Sequence, residues 1–326
     1  MSSSEIPRFS QMPPEIIRID ESLQMRLFVE SDAENLLRLV DNERAQKFLP
    51  WAKPIHDLES AKDSIASFQS AWDNQRMARY VVEKDGEFAG YAGIWSDQEP
   101  DFYEFGFATL PELQGEGIGS KSVNRLINMA RDDLGAKGMI AYVDDTNEQS
   151  KSSVSRLGFE PTEEFDSGDR RYVLDFDEQE RRKEAFFNGD PNTAGSKGLI
   201  FIGDSVVVYR RDDNTDDHPH QLDLPGGGPE QGETPFQTFQ REAMEEFNLG
   251  LSEDDIIYVR QYPSVVRPGK FAYFPVAKLP ESAMERIRLG DEGSEYLILS
   301  FEEYLSRTDA WDIFQDRSKD YRAVAS

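Results

Sequence analysis

The chain has 326 residues, a length that favours two domains over one. Its formal net charge of −27 argues against direct binding to nucleic acid phosphates and would attract amines or cationic peptides, although we interpret it mainly as a source of solubility. The chain has no cysteine, which excludes disulfides and thiolate chemistry and fits a cytoplasmic protein, and no apolar run predicts a membrane span.

The first half of the chain predicts an α+β domain over residues 23–176, after a Ser- and Pro-rich extension at 1–22. A strand at 23–30 leads into a helix with Ser31 or Asp32 as its N-cap, and Asp57 caps a second helix. From Tyr80 onward, short strands flank an Asp-Gly turn at 85–86, which is a hairpin signal. Two further helices alternate with the last strands of this domain.

A charged and then Gly-, Asn- and Pro-rich stretch at 177–196 predicts a short helix followed by a linker. The strand pattern restarts at KGLIFIGDSVVVYRR, so residues 197–326 are expected to form the second domain. The predicted fold class is therefore α+β with two domains.

The stretch QGEGIGS at 114–120 follows a predicted strand and opens a predicted helix. Gly115, Gly117 and Gly119 remove side chains where the backbone must approach a ligand closely. The helix start offers unpaired N–H groups and the positive end of the helix dipole. The pattern predicts a pyrophosphate cradle, and the simpler alternative is a flexible loop.

Around this loop, residues 23–176 resemble the GNAT acetyltransferase family. Gln114, Gly117 and Gly119 meet its signature Q/R-x-x-G-x-G/A, and NEQSKSSVSRLGF at 147–159 is similar to its N-x-x-S … LGF region. FLPWAKPIHDLESA further resembles the RimJ/RimL branch. The resemblance implies a mixed, mostly antiparallel sheet with helices, acetyl-CoA as cosubstrate, and an amine or peptide N-terminus as acceptor.

The resemblance also implies residue roles in this first domain. The residues expected to bind acetyl-CoA are Gln114, Gly115, Gly117, Ile118, Gly119, Ser120, Asn147 and Ser150. Glu104, on the strand facing the thioester, is the candidate general base acting through water, and the alternative is a solvent-facing strand glutamate. Val154 stands where many members carry a tyrosine acid, which leaves the proton donor unassigned. The alternative function is a domain that only binds acetyl-CoA or CoA and regulates the second domain.

REAMEEFNL at 241–249 collects three glutamates on a predicted helix. At about 100° per residue, Glu245 and Glu246 lie at about −60° and about +40° from Glu242, so the three carboxylates share one face. Like charges at this spacing destabilise a helix, whereas Mg²⁺ takes oxygen ligands and is often shared with substrate phosphates. The pattern predicts a metal site, and the alternative is a solvated acidic face.

Together with the glycine-rich stretch LDLPGGGPEQGET, residues 227–249 resemble the Nudix box G-x5-E-x7-R-E-U-x-E-E-x-G-U, where U is a bulky aliphatic. The positions in register are Gly227, Glu233, Arg241, Glu242, Glu245, Glu246 and Leu249. Ala243 and Asn248 depart from the box, but asparagine also tolerates the left-handed conformation that can end a helix.

The Nudix resemblance implies an α/β/α sandwich that hydrolyses a small-molecule substrate, a nucleoside diphosphate linked to another group. Glu233, Arg241 and Glu245 are the implied catalytic residues, with Arg241 orienting Glu233. The implied ligands of Mg²⁺ or Mn²⁺ are Glu242, Glu245, Glu246 and an acid from outside the box, for which Glu292 is the first choice and Glu295 the second. The whole chain is therefore expected to be a bifunctional enzyme.

Overall fold

A computed structural model describes residues 8–166, 168–213, 218–290 and 293–325. The chain divides into two compact units, Met1–Asp177 together with Ala323–Ser326, and Glu178–Arg322. Within the described ranges, no helix is long and apolar enough to cross a membrane.

The first unit is built on one eight-stranded sheet. Its strands are β1 (Ile16–Arg18), β2 (Leu23–Leu27), β3 (Met77–Lys84), β4 (Glu87–Ser96), β5 (Phe102–Thr109), β6 (Gly138–Asp144), β7 (Glu160–Asp166) and β8 (Asp169–Asp175). Its helices are α1 (Ala33–Val40), α2 (Glu43–Phe48), α3 (Leu58–Asp73), α4 (Ile118–Asp132) and α5 (Glu148–Arg156). The strand order is β1-β2-β3-β4-β5-β6-β8-β7.

Successive side chains along each strand point to opposite faces of the sheet, so its apolar residues pack against a helical layer on each face. Tyr80 and Val82 pack in the cluster that contains the apolar face of α4, whereas Val81 packs with α1 and α3. Every neighbouring pair is antiparallel except β5 and β6, which run parallel and pair only from Phe102 to Glu104. The two strands part beyond Glu104, which places this residue where the sheet opens.

Two local predictions in the first unit are confirmed. The Asp57 carboxylate accepts a hydrogen bond from the Ser60 backbone N–H at 2.8 Å and so caps α3. The turn between β3 and β4 has positive φ angles of 52° at Asp85 and 84° at Gly86, which is the twist that a two-residue hairpin requires.

One prediction for this unit is corrected, and the unit contains two strands that the sequence did not predict. Asp32 precedes α1 but makes no side-chain cap, because its carboxylate pairs with Arg26 at 2.7 Å. The extension at 1–22 contains strand β1, which pairs with β2. The acidic sequence EPTEEFD at 160–166 forms β7, an edge strand that its composition did not predict, because pairing with β8 overrides its low strand propensity.

The second unit is a sheet between helices. Helix α6 (Phe176–Asn188) leads into β9 (Thr193–Lys197), β10 (Leu199–Ile202), β11 (Ser205–Arg210), β12 (Leu222–Asp223), β13 (Gly226–Gly227) and α7 (Pro235–Phe247). The remaining elements are β14 (Ile256–Pro263), β15 (Phe271–Leu279), β16 (Glu295–Ser300), α8 (Phe301–Ser306) and α9 (Asp312–Ala325). The stretch 177–196, predicted as a short helix followed by a linker, contains α6 up to Asn188 and the start of β9 at Thr193. Phe186 on α6 is fully buried against Tyr273 and Phe236.

Period-two alternation again explains the layers of the second unit. Ile200 and Ile202 face the cluster that includes α7, whereas Leu199 and Phe201 face the cluster that includes α8 and the start of α9. The sheet runs in the order β12-β11-β10-β15-β9-β13, with β14 added beside β15 and β16 beside β11. The unit is therefore an α/β/α sandwich, as predicted.

Candidate active sites

The glycine-rich loop before α4, where the sequence predicted a pyrophosphate cradle, has open space beside it. Gly115 and Gly117 have positive φ angles of 90° and 79°, and a Cβ built on either residue would meet no atom within 4 Å. Gly117 is the N-cap of α4, so the first N–H groups of the helix lack intrahelical acceptors beside this open space. The loop has the shape and the helix dipole that suit an anionic group.

The rest of the loop is fixed by contacts below and beside it. A Cβ on Gly119 would lie 2.7 Å from a ring carbon of Phe107, so glycine is needed there for α4 to pack closely on β5. The Lys84 ammonium contacts the Glu116 carboxylate at 2.5 Å, and Lys121 contacts Asp20 at 2.8 Å. Two cationic side chains therefore border the loop.

Asn147 and Ser150 have structural contacts of their own. The Asn147 amide oxygen accepts from the Ser150 backbone N–H at 3.2 Å, which caps α5, and from the Arg44 guanidinium at 2.8 Å. Asn147 is 8% exposed, so its side chain is committed mainly to positioning the start of α5.

Glu104 lies on β5 where β5 and β6 separate, and it is largely desolvated. Its carboxylate accepts a hydrogen bond from the Trp95 indole N–H at 2.7 Å. Burial raises the pKa of Glu104 to about 7, against the lowering effect of the Trp95 bond. A carboxylate tuned to this range can take a proton near neutral pH.

In the second unit, Arg241 on α7 gathers the predicted carboxylates. Its Nε donates to Glu233 at 2.8 Å, and its Nη1 donates to both Glu242 and Glu245 at 2.9 Å. Its Nη2 donates to the Gly228 carbonyl at 3.0 Å. Partial desolvation opposes the shift, but the bonds from Arg241, the Glu230 backbone and Thr238 hold the pKa of Glu233 below its ordinary value. The arginine thus fixes the orientation of Glu233.

The triple glycine before α7 allows the carboxylates to approach the backbone. A Cβ on Gly227 would lie 2.2 Å from a carboxylate oxygen of Glu242, so no other residue fits there without displacing that carboxylate. The Gly226 N–H donates to the Glu246 carboxylate at 3.1 Å. Glu242 and Glu246, one helical turn apart, therefore both reach the 226–227 loop.

Glu246 is only 3% exposed. Its desolvation raises its pKa to about 8, the nearby Lys197 lowers it, and the charge of Glu242 raises it further. Glu245 differs from it, because 59% of its side chain is exposed. The three glutamates share a side of α7, as predicted, but stand in different environments.

The described part of the chain contains no group of three or more acidic or histidine side chains already arranged around a metal position. Arg241 instead supplies the positive charge among Glu233, Glu242 and Glu245. Glu292, the first choice for an additional ligand, lies outside the described residues. Glu295 starts β16 and pairs with Arg210 at 2.7 Å.

The end of α7 also bears on the departure from the Nudix pattern. Asn248 adopts the left-handed conformation with φ 55° and ψ 37°, as expected for asparagine in place of glycine. Ala243 is fully buried in the core beside the sheet, so a small residue fits there.

Family models match both halves of the chain. The model of the acetyltransferase (GNAT) domain matches residues 22–160, and that of the NUDIX domain matches residues 196–317. The chain is a fusion of a GNAT domain and a Nudix domain. The predicted families and fold class are confirmed, and both domains belong to enzyme families.

Curated relatives are similar to this GNAT–Nudix chain over less than half of its length. A mycothiol acetyltransferase of Kytococcus sedentarius is 32% identical over 156 residues, covering 47% of this chain and 49% of the relative. An uncharacterized N-acetyltransferase, YoaA of Bacillus subtilis, is 22% identical over 143 residues, covering 43% of this chain and 80% of the relative. The chain thus spans about half the length of the first of these relatives.

Solved acetyltransferase structures also match part of the chain. RimL, a ribosomal alpha-N-protein acetyltransferase in complex with coenzyme A, is 20% identical, with a TM-score of 0.45 over 50% of this chain and 99% of RimL. RimJ of Mycobacterium smegmatis, in complex with a CoA disulfide, is 18% identical, with a TM-score of 0.42 over 48% of this chain and 83% of RimJ.

Sequence reasoning missed several side chains around Glu104 in the GNAT domain. Trp95 bonds to its carboxylate, and Arg79 and Tyr91 lie on neighbouring strands of the same sheet face. The alternating pattern of β3 and β4 could have placed them on this face. The cross-strand register decides which of them lie next to Glu104, and it is not visible in local sequence.

Proposed function

We propose that this chain is a bifunctional enzyme. Its GNAT domain transfers an acetyl group from acetyl-CoA to an amine, and its Nudix domain hydrolyses a nucleoside diphosphate linked to a second group, with Mg²⁺ or Mn²⁺. The observation that carries the first activity is Glu104, a desolvated carboxylate with a pKa of about 7 at the point where β5 and β6 separate.

For acetyl-CoA, the loop residues Gly115, Gly117 and Gly119, together with Ile118 and Ser120, would offer backbone N–H groups to the pyrophosphate. This assignment is supported by the open space beside Gly115 and Gly117 and by the helix start. Gln114 would flank the cradle. Asn147 and Ser150 would act by setting the start of α5 along the pantetheine arm.

In the transfer step, the neutral amine nitrogen bonds to the thioester carbonyl carbon, and the carbon–sulfur bond then breaks. Glu104 takes the proton that the amine loses, through a water molecule, and the leaving thiolate takes up a proton. Val154, at the position of the tyrosine acid in many family members, is buried at 2% exposure and supplies no proton. Glu104 is thus the one titratable group to which we assign proton transfer.

For the metal, the donor chemistry of the second site fits a hard divalent cation. Glu246 is buried close to Glu242, and a cation there would offset both the desolvation and the repulsion. Glu242, Glu245 and Glu246 would hold it, with Glu292 as the proposed outside ligand. When bound, such an ion activates water and stabilises charge that develops on a diphosphate. Arg241 positions Glu233 through two hydrogen bonds.

The test uses the full chain and two single variants with opposite expectations. Glu104→Gln should lower acetyl transfer to a panel of amines by about a hundredfold or more and leave nucleotide hydrolysis unchanged. Glu245→Gln should lower metal-dependent hydrolysis of a panel of nucleoside diphosphate derivatives and leave acetyl transfer unchanged.

Product detection in both assays separates the outcomes. Acetyl-CoA binding without transfer to any amine would contradict the first activity and support a regulatory GNAT domain. Absence of hydrolysis with either metal, while acetyl transfer proceeds, would contradict the second activity alone.

A further inference from the structure

A buried arginine that forms no salt bridge with a described residue lies on the same sheet face as Glu104, and the Glu104 carboxylate acts on it only through space. Arg79 is on β3, is 8% exposed, and has a buried Nη1 atom with no hydrogen-bond partner among the described residues. Its Nε donates to the thioether sulfur of Met77 at 3.0 Å, which is a weak acceptor. Burial accordingly lowers the pKa of Arg79 from its ordinary value.

Aromatic rings surround this guanidinium. Its Cζ lies 4.4 Å from the ring centroid of Phe68, 4.6 Å from that of Trp51 and 5.9 Å from that of Trp95. Ring faces attract a cation and hold it in place, but they do not replace the hydrogen bonds that its N–H groups lose on leaving water. These three rings, called the aromatic cage below, therefore hold a charged guanidinium whose N–H groups are not all hydrogen-bonded.

The cage is built next to the proposed catalytic base. In the sheet register, Arg79 lies opposite Gly93, which lies opposite Gly106, while Trp95 lies opposite Glu104. The Trp95 indole N–H donates to the Glu104 carboxylate at 2.7 Å, and Cζ of Arg79 lies 5.9 Å from the Trp95 ring centroid. Arg79 and Glu104 therefore both lie next to the Trp95 indole.

Two glycines keep this arrangement possible. A Cβ on Gly93 would lie 3.2 Å from Cγ of Arg79 and 3.1 Å from the Ala78 carbonyl. A Cβ on Gly106 would lie 2.9 Å from the hydroxyl of Tyr91 and 3.1 Å from the Trp95 ring. Side chains at these central strand positions would displace Arg79 and Trp95, which explains glycine in strands where it is otherwise disfavoured.

We propose that Arg79 binds a carboxylate of the acetyl acceptor, so that the substrate of the GNAT domain is an amine that also carries a carboxylate several bonds away. The proposal rests on the proposed acetyltransferase function and narrows its acceptor. The positive charge of Arg79 is opposite in sign to the net charge of −27. The net charge by itself favours cationic acceptors. A guanidinium in a largely desolvated site recognises a carboxylate strongly and by two parallel hydrogen bonds.

The acceptor chemistry follows from this placement. With its amine at Glu104 and its carboxylate at Arg79, an amino acid of suitable length satisfies both groups. A simple alkylamine would leave the guanidinium unpaired, and a polyamine would add a positive charge beside it. Arg79 is thus a specificity-determining residue that does not touch the thioester.

The experiment measures kcat/KM of the full chain for ω-amino acids of increasing length and for the n-alkylamines of the same lengths. The wild type should prefer the carboxylate-bearing amine at its best length. Both values are measured on the high-pH plateau, because loss of the Arg79 charge also raises the pKa of Glu104. There, Arg79→Met should lower kcat/KM for that acceptor by about tenfold to a hundredfold and leave the alkylamine kcat/KM unchanged or higher, while Arg79→Lys should retain part of the preference. Arg131→Met, at an arginine on the opposite helical layer, is the matched control and should alter neither value.

The ratio of the two kcat/KM values is the deciding readout, because general misfolding would lower both rates together. Equal ratios in wild type and Arg79→Met, or a wild-type preference for alkylamines, would overturn the assignment of Arg79. Alkylamine acetylation in that case would leave the acetyltransferase function standing, whereas failure to acetylate any amine would contradict the proposed function itself.

Discussion

Glu246→Gln should make the protein more stable and the Nudix domain less active. The residue is 3% exposed, and burial raises its pKa from an ordinary value of 4.5 to about 8. The folded state therefore binds more protons than the unfolded state between these pH values, and stability is lost as pH rises through this window. The variant carries no charge to desolvate, and its amide oxygen can still accept from the Gly226 N–H.

The size of the effect follows from the same two pKa values. Their difference corresponds to about 5 kcal/mol at pH above 8, which is an upper limit because local opening would let water reach the carboxylate. We expect a stabilisation of about 2 to 4 kcal/mol at pH 9 without metal, or roughly 5 to 15 °C in Tm. At pH 5, where Glu246 is protonated in the folded state, the difference should nearly vanish.

Scanning calorimetry of the full chain at both pH values, with and without Mg²⁺, checks this expectation. Mg²⁺ should stabilise the wild type more than the variant, and hydrolysis by the variant should fall about a thousandfold, since the metal acts where charge develops. Glu253→Gln, at an exposed glutamate outside the site, is the control and should change neither property. Full activity of Glu246→Gln on a verified substrate would refute the three-carboxylate interpretation, and an unchanged Tm at pH 9 would refute the argument from burial.

Three further predictions concern the two sites. Gly117→Glu should abolish calorimetrically measured acetyl-CoA binding, whereas Gly135→Glu, also at a positive φ in open space, should retain it and so controls for backbone strain; equal losses would remove the cradle assignment. Trp95→Phe removes a hydrogen bond that lowers the pKa of Glu104, so the pH at which acetyl transfer reaches half its plateau should rise above that of wild type; a shift to lower pH would contradict Glu104 as the base. Arg241→Lys should reduce hydrolysis by about tenfold to a hundredfold and spare acetyl transfer, because a single ammonium lacks the planar fork with which the three guanidinium nitrogens reach three separate carboxylates; unchanged hydrolysis would show that Arg241 does not position Glu233.

Structural features that depend only on residues adjacent in the chain could be predicted from the sequence. The turn at Asp85–Gly86, the Asp57 cap and the left-handed Asn248 each follow from the conformation that one residue type prefers. The glycine-rich loop before α4 and the glutamate face of α7 were equally visible, because loop and helix geometry act within about one turn. Together with the two family resemblances, these signals predicted both families and the candidate residues of both proposed sites.

Edges and linkers were less predictable. Strand β7 has an acidic sequence of low strand propensity, and it forms because β8 supplies the hydrogen-bond partners. Helix α6 extends beyond the short helix predicted at the start of 177–196, because Phe186 is buried among aromatic residues far along the chain. In both cases a tertiary partner outweighs local preference.

The electrostatic character of the sites came only from the tertiary structure. The helical repeat puts three glutamates on one face, but it gives no reason why Glu246 is buried while Glu245 is exposed; the approach of the 226–227 loop decides that. Likewise, strand alternation assigns Arg79 and Glu104 to a face, whereas the register of three strands places Trp95 between them. Burial and cross-strand pairing depend on residues distant in sequence, and desolvation, which sets the pKa of a carboxylate, follows from them.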